Sequence, residues 1–188
     1  MKRKTYNVGQ LVIIALMITL SYILMYTGIS IIPAVPHLKL EFSIIPIVII
    51  ALGINIKSAM LASLIVNMLD FFTKGSLTGL PIDQMINLIA ICIFLVVIVQ
   101  FEKNNHTKTG LIISVIVVSI MMIFVNYFFT TPLYFGLLGS ELPDNLLYYC
   151  VSVYGIFNSI KWGLVAVAYF VCYKYIDIFK KKVIQMTK

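Results

Sequence analysis

The chain has 188 residues, of which 61% are hydrophobic and 11% charged, with a mean hydropathy of +1.04 and a formal charge of +7. A soluble domain is nearer half apolar and a quarter charged, and a fold this small has too little interior to hide so much apolar surface. A soluble enzyme, a nucleic-acid binder and a disordered chain are all poor readings, and the lipid bilayer is the solvent that fits.

No charge falls within residues 5–38, 42–56, 58–69, 84–101, 109–140, 145–160 or 162–173. A helix needs roughly 20 residues to cross about 30 Å of hydrocarbon. The chain therefore has room for five or six crossings and none for an aqueous domain, so residues 1–188 read as one transmembrane domain.

Helix 1 is expected over about Gly9–Tyr26, after the basic start Met1-Lys2-Arg3-Lys4 and before Gly28 and Pro33. It has no small-residue cleavage pattern, so it reads as a retained helix and not a signal peptide. Residues 29–43, with Pro33, Pro36, Lys39 and Glu41, read as a structured loop. Residues 44–73 are too long for one crossing, and Gly53 with Asn55 offers a break. A pair follows: a short helix 2 over about Ile44–Leu52 and helix 3 over about Ser58–Phe72.

The polar stretch from Thr73 to Pro81 separates helix 3 from helix 4, expected over about Ile82–Gln100 with Pro81 at its first turn. Glu102–Lys108 is a loop, and helix 5 covers about Gly110–Phe129. Thr131, Pro132, Gly136, Gly139 and Pro143 mark another loop. Helix 6 runs from about Leu146 to Tyr173, with a charged tail beyond. The fold class is all-α, an integral-membrane six-helix bundle.

Six crossings bring both termini to one side. That side holds Lys2, Arg3, Lys4, Lys57, Lys103, Lys108, Lys174, Lys180, Lys181, Lys182 and Lys188, against Lys39 and Lys74 on the other. Basic residues near short loops favour the cytoplasm, so both termini are expected there, in a multi-pass protein of the cell membrane.

Cys92, Cys150 and Cys172 are scattered singly in or beside apolar stretches and read as buried packing residues. No GxxxxGK[ST] loop, HExxH motif or metal-ligand spacing is present. No nucleophile with a base stands out either, so no catalytic residue, metal or cofactor is expected. Aromatic residues such as Phe72, Phe128, Phe129, Tyr134 and Tyr148 gather near one set of helix ends, as an interfacial belt would.

Polar residues inside the hydrocarbon must find a partner or face a wet cavity. The sharpest case is Asn158-Ser159-Ile160-Lys161-Trp162, because Lys161 lies too deep for its stem to reach either interface. Asn158 and Lys161 are three apart and share a face. Either they offer an amide and a cation to one ligand, or Lys161 pairs with Asp70 or a backbone carbonyl. Trp162 is rotated by about 100° from Lys161 and is not expected in the pocket. Asp70 and Lys74 are spaced for a local ion pair that finishes the helix, the alternative being direct contact with a ligand. Asp83 suits a helix N-terminus, Asn87 is deeper and suits a cavity, and Asn126 lies just inside a helix end. These positions converge in one half of a small bundle, which suits capture of an amphipathic solute better than an ion pore.

Three segments carry a family resemblance: Leu38-Lys39-Leu40-Glu41-Phe42-Ser43-Ile44-Ile45-Pro46, Gly75-Ser76-Leu77-Thr78-Gly79 followed by Asn87, and Asn158-Ser159-Ile160-Lys161. In this order the chain resembles the integral-membrane substrate-binding components of energy-coupling-factor vitamin transporters, nearest to those specific for riboflavin. The resemblance implies an externally facing vitamin site, with Asn158 and Lys161 as leading riboflavin contacts and Asn126 and Asn87 in support. It implies that Gly75, Ser76, Thr78 and Gly79 gate the site. It also implies a transmembrane coupling subunit and two cytosolic ATPase subunits as partners, membrane lipid around the bundle, and no nucleic acid. Small residues on helix 1 contact the coupling subunit in such proteins, and Ala15 and Thr19 are the nearest match here. The chain departs from the family pattern where Ile44 follows Ser43 in place of a second acid. Pantothenate or a thiamine precursor is the rival ligand, and a ligand-free structural subunit is the rival class.

Overall fold

The computed structural model describes residues 6–30, 32, 35, 38–76 and 78–186. Lys2, Arg3, Lys4, Pro33, Pro36, His37, Leu77 and Lys188 lie outside the described residues, as does the side chain of Lys180.

Helix α1, Val8–Tyr26, starts in a reciprocal cap: Gln10 N donates to the Asn7 side chain, and Asn7 N donates to the Gln10 side chain. It buries Ile13, Met17, Ser21 and Met25 at every fourth position and leaves Leu11, Leu16 and Ile23 exposed. Exposed aliphatics of this kind suit lipid. After α1 the chain makes a short antiparallel pair, β1 Ile29–Ser30 with β2 Lys39–Leu40, in the register Ile29 to Leu40 and Ser30 to Lys39.

Helix α2, Ile44–Gly53, is buried on nearly every side, with Ile44, Ile47, Val48 and Ile50 each 2% exposed or less. Its ten residues rise only about 15 Å, half the hydrocarbon thickness, so it is a core plug packed against α1 and the third and last helices and not a full crossing. The break falls at the expected place. Ile54 N and Asn55 N both donate to Ile50 O, and the Asn55 side chain accepts from Ser58 N to begin α3, Ile56–Lys74. Small residues on the buried face of α3 (Ala59, Ala62 and Ser63) let neighbouring backbones approach.

Helix α4, Ile82–Glu102, returns beside α3 and turns tightly into α5. Gly110 makes that turn possible, since a Cβ there would lie 2.5 Å from Phe101 Cβ. Helix α5 is one rod, Thr107–Leu138, formed by Thr107–Val125, a π-helical turn at Asn126–Thr130, and Thr131–Leu138. Helix α6 is likewise Leu146–Tyr149, a π turn at Cys150–Gly155, and Ile156–Met186.

Two boundaries differ from expectation. Thr131, Pro132 and Gly136 continue the fifth helix instead of ending it. Pro132 sits in the first turn after the π turn, where its missing donor costs little, and the left-handed Gly139 (φ 65°) ends the rod. Helix α6 continues past Tyr173 through its charged tail, where Lys181 Nζ is 2.8 Å from Asp177 one turn earlier. The cysteines also divide: Cys150 is buried, Cys92 half-buried and Cys172 exposed, all as free thiols.

The result is an all-α six-helix bundle in which, among the described residues, five helices are long and apolar enough to cross a membrane. Chain direction alternates, so the C-terminal ends of α1, α3 and α5, the strand pair and the π turns share one end. Lys74 Nζ donates to Tyr26 O (2.8 Å) at that end, and Ser58 Oγ to Tyr6 OH (3.0 Å) at the other. Exposed Lys57, Lys103 and Lys108 lie at the latter end. The apolar core there centres on Phe94, Leu95 and Ile98 of α4 with Leu111, Val118 and Val165.

Candidate functional site

The same helices change character toward the end that carries the strand pair. Helix α3 there buries Ser63, Asn67 and Asp70 along one stripe, and α4 contributes Gln84 and Asn87. Three- and four-residue spacing puts each set on one face. Two polar rungs join the helices: Gln84 Nε2 donates to Asp70 Oδ2 at 3.2 Å, and Asn87 Nδ2 donates to Asn67 Oδ1 at 3.2 Å. Asn67 in turn donates to Ser63 O within its own helix at 2.8 Å.

Lys161 of α6 meets the deeper rung. Its ammonium donates to Asn87 Oδ1 and to Glu41 Oε1, both at 3.0 Å, and the residue is only 9% exposed. Taking a charge out of water costs several kcal/mol unless it is paired and hydrogen-bonded, which Glu41 and Asn87 together achieve. Glu41 follows β2 directly and precedes the buried Ser43, whose carbonyl accepts from Ser21 Oγ at 2.7 Å. The strand pair and that bond fix the carboxylate over the bundle. The alternative partner expected from sequence, Asp70, is engaged instead by Gln84 and by Lys74, whose Nζ is 3.5 Å from Oδ1.

The Lys161–Glu41 pair is not sealed in protein. A cavity of about 80 Å³ adjoins it, and Asn158, Lys161, Asn126 and Asn87 all line it. Asn158 Nδ2 donates to Tyr154 O (2.8 Å), and Asn126 Nδ2 donates to Met122 O (2.6 Å), each bracing its amide against its own helix. Met25, Ile86, Ala90, Met122 and Phe157 supply the apolar wall. A concave apolar wall with a few directing polar groups is the usual form of a small-molecule site.

Trp162 corrects the sequence reading, because it also lines the cavity. Its indole N–H donates to Asn158 Oδ1 at 3.3 Å, and its ring stacks on Phe94 with centroids 4.9 Å apart. The 100° turn from Lys161 moves its Cα off the face, but the large ring reaches back. Asp70, for which ligand contact was the alternative to the ion pair, lines the cavity as well. Sequence reasoning left out Glu41 and Gln84 as lining groups. Glu41 lies outside any helix and Gln84 in the first turn of α4 beside Asp83, so periodicity flagged neither. Asp83 lines the cavity too, held by a hydrogen bond from the Tyr134 hydroxyl. Tyr134 is thus buried, whereas Phe72, Phe128, Phe129 and Tyr148 are exposed as a belt requires.

The Gly75–Gly79 segment caps the α3–α4 turn and none of Gly75, Ser76, Thr78 and Gly79 lines the cavity. Gly75 and Gly79 have φ of 68° and 71°, and Ser76 Oγ donates to Leu80 O at 2.5 Å. Ala15 and Thr19 lie on the exposed face of α1, away from the cavity, with Thr19 Oγ1 bonded to Ala15 O at 3.0 Å. Among the described residues, no group of three His, Cys, Asp or Glu side chains is placed to hold a metal.

Comparison with known proteins places this geometry in context. Residues 9–173 match a protein-family model described as "ECF transporter, substrate-specific component". The chain is 29% identical over 177 residues to the riboflavin transporter RibU of Streptococcus thermophilus, covering 89% of this chain and 82% of that one. It is 29% identical over 171 residues to the riboflavin transporter FmnP of Bacillus subtilis, covering 87% and 89% respectively. A solved structure of the S component of a bacterial ECF transporter superposes with a TM-score of 0.74 at 26% identity, over 90% of this chain and 96% of that one.

Proposed function

We propose, on the premise that the chain belongs to the substrate-specific components of ECF transporters, that its cavity captures riboflavin for ATP-driven uptake. Membership makes it a multi-pass membrane protein of binding and transport, and not an enzyme. The riboflavin assignment rests on one observation above the rest. Lys161 spends two of its three N–H donors on Glu41 and Asn87 and keeps one at the wall of a cavity floored by aromatic and aliphatic side chains. A flat heteroaromatic ring with carbonyls on one edge is the complement of that arrangement. Asn158, Lys161, Asn126 and Asn87 are the proposed contacts, and the named activity of the relatives supports the same ligand.

In this reading the cavity opens to the cell exterior and both termini face the cytoplasm. Exposed Lys57, Lys103 and Lys108 at the far end, against Lys39 and Lys74 at the cavity end, support that orientation. Gly75, Ser76, Thr78 and Gly79 form the gate above the site. Ala15 and Thr19 meet a transmembrane coupling subunit, and two cytosolic ATPase subunits supply the hydrolysis that this chain lacks the motifs to perform.

Trp162 is the chain's single tryptophan and lines the cavity, so it reports on the site directly. Titration with riboflavin in mild detergent is expected to quench its fluorescence saturably, with flavin mononucleotide as competitor measuring the preference for the unphosphorylated form. Saturable binding of pantothenate or a thiamine precursor, with none of riboflavin, overturns the ligand assignment. Intact folding with no vitamin bound favours a structural subunit.

A further inference from the structure

The carboxylate of Glu41 is only half used. Oε1 accepts from Lys161 at 3.0 Å, while Oε2 is buried and, among the described residues, has no hydrogen-bond partner. The residue is 8% exposed and lines the cavity. An unmatched carboxylate oxygen in such surroundings carries a desolvation cost that a donor relieves. Electrical neutralisation of Lys161 explains why an acid stands at position 41, but it does not explain why one oxygen is left without a donor among the described residues.

Lys161 shows the complementary excess. An ammonium has three N–H bonds, and two are engaged, to Glu41 and Asn87. The third N–H and the spare carboxylate oxygen belong to two cavity-lining residues in direct contact, so a spare donor and a spare acceptor stand side by side next to the cavity. Asn87 adds a second donor beside them: its Nδ2 uses one N–H on Asn67 and has another. The matching ligand edge has a carbonyl next to an N–H, as in a cyclic amide or imide. The pyrimidine edge of an isoalloxazine, with C2 carbonyl, N3–H and C4 carbonyl in sequence, has that pattern. Ribityl hydroxyls, each able to donate or accept, do not demand it.

We propose that Glu41 is a specificity-determining residue that accepts the ligand's imide N3–H, while Lys161 donates to an adjacent carbonyl, so that the flavin enters with its pyrimidine edge toward α6. This rests on the riboflavin reading of the same cavity and goes beyond it by assigning the orientation of the ring. The strand pair gains a role in consequence, because it carries Lys39 and Leu40 immediately before the acid that reads the ligand.

The test compares riboflavin with 3-methylriboflavin, in which the N3 donor is replaced by a methyl group, using Trp162 quenching of the full chain. The unmodified protein is expected to bind the methylated compound at least about a hundredfold more weakly, since a site built around a substrate N–H rejects the analogue lacking it. In Glu41→Ala, which removes the acceptor and leaves room for the methyl group, the two ligands are expected to bind within about threefold of each other. Glu41→Asp keeps the charge beside Lys161 but withdraws the carboxylate by one methylene, and it carries the same comparison if the alanine variant does not fold. Equal binding of the two flavins by the unmodified protein overturns the inference while leaving riboflavin capture standing, and so does full discrimination surviving in Glu41→Ala. Failure to bind riboflavin at all overturns the underlying reading instead.

Discussion

Helices α3, α4 and α6 each have two interiors. Toward the strand pair they bury Asn67 and Asp70, Gln84 with the half-buried Asn87 beside it, and Asn158 and Lys161; toward the opposite end they bury Ala59 and Ala62, Phe94 and Ile98, and Val165 and Tyr169. The apolar half holds the helices in register by packing alone. Its contacts need no directional partner, and lipid competes with them almost on equal terms. The polar half is directional: each amide and charge is tied to a named atom, and Glu41, Asp70 and Gln84, which each keep an oxygen with no hydrogen bond among the described residues, line the cavity. A rigid dry half thus positions a wet half whose hydrogen-bonding is left incomplete toward the ligand.

Phe94→Ala attacks the dry half and is expected to have the largest effect. Phe94 is fully buried and stacked on Trp162, and its truncation should cost about 3 kcal/mol of stability, read by thermal or denaturant unfolding in detergent. Riboflavin affinity of the folded fraction should fall less than it does on loss of Lys161. A larger loss would mean that the two halves are not separable.

The charge pair tests the other side. Lys161→Met combined with Glu41→Gln removes both buried charges, and replacing such a pair is often neutral or stabilising. Unfolding of that double variant should stay within about 1 kcal/mol of the parent, while riboflavin binding weakens roughly 10- to 100-fold with the loss of a charge-assisted hydrogen bond. Destabilisation without loss of binding would reverse the roles assigned here.

Asn158→Ala is expected to weaken riboflavin about tenfold, since its amide is braced by Tyr154 and Trp162 and contributes one neutral hydrogen bond. Ser76→Ala should have the smallest effect. It removes the bond to Leu80 O in a segment that does not line the cavity. Equilibrium affinity should then stay within about threefold, with faster riboflavin release in stopped-flow quenching.

The bundle and much of the site were legible because a polar side chain in a charge-free run announces itself. Asn87, Asn126, Asn158 and Lys161 were all marked in that way, and the structure brings all four to one cavity. Gly53 and Asn55 marked the α2–α3 turn for a similarly local reason. Glu41 was quoted in a motif but not picked out as a lining group, since no helical period applies where it lies and its partner is 120 residues away. Trp162 was set aside by a rule that places Cα atoms well and large rings poorly. The path of α5 through Pro132 was hidden because a π turn leaves no periodic signature to offset the proline and glycines that read as a loop.

Those π turns sit side by side on α5 and α6, with Thr131 Oγ1 3.6 Å from Cys150 Sγ between them. Each accommodates one residue beyond an α-helical turn, as when Thr131 N reaches back five residues to Asn126 O. A single-residue deletion there would therefore be absorbed as a return to ordinary α geometry. The residues on either side would keep their phase, because the extra residue is taken up within the turn itself. The mouth of the bundle can thus gain or lose a residue without disturbing its floor, which gives a lineage a route to new cargo that never touches the lysine.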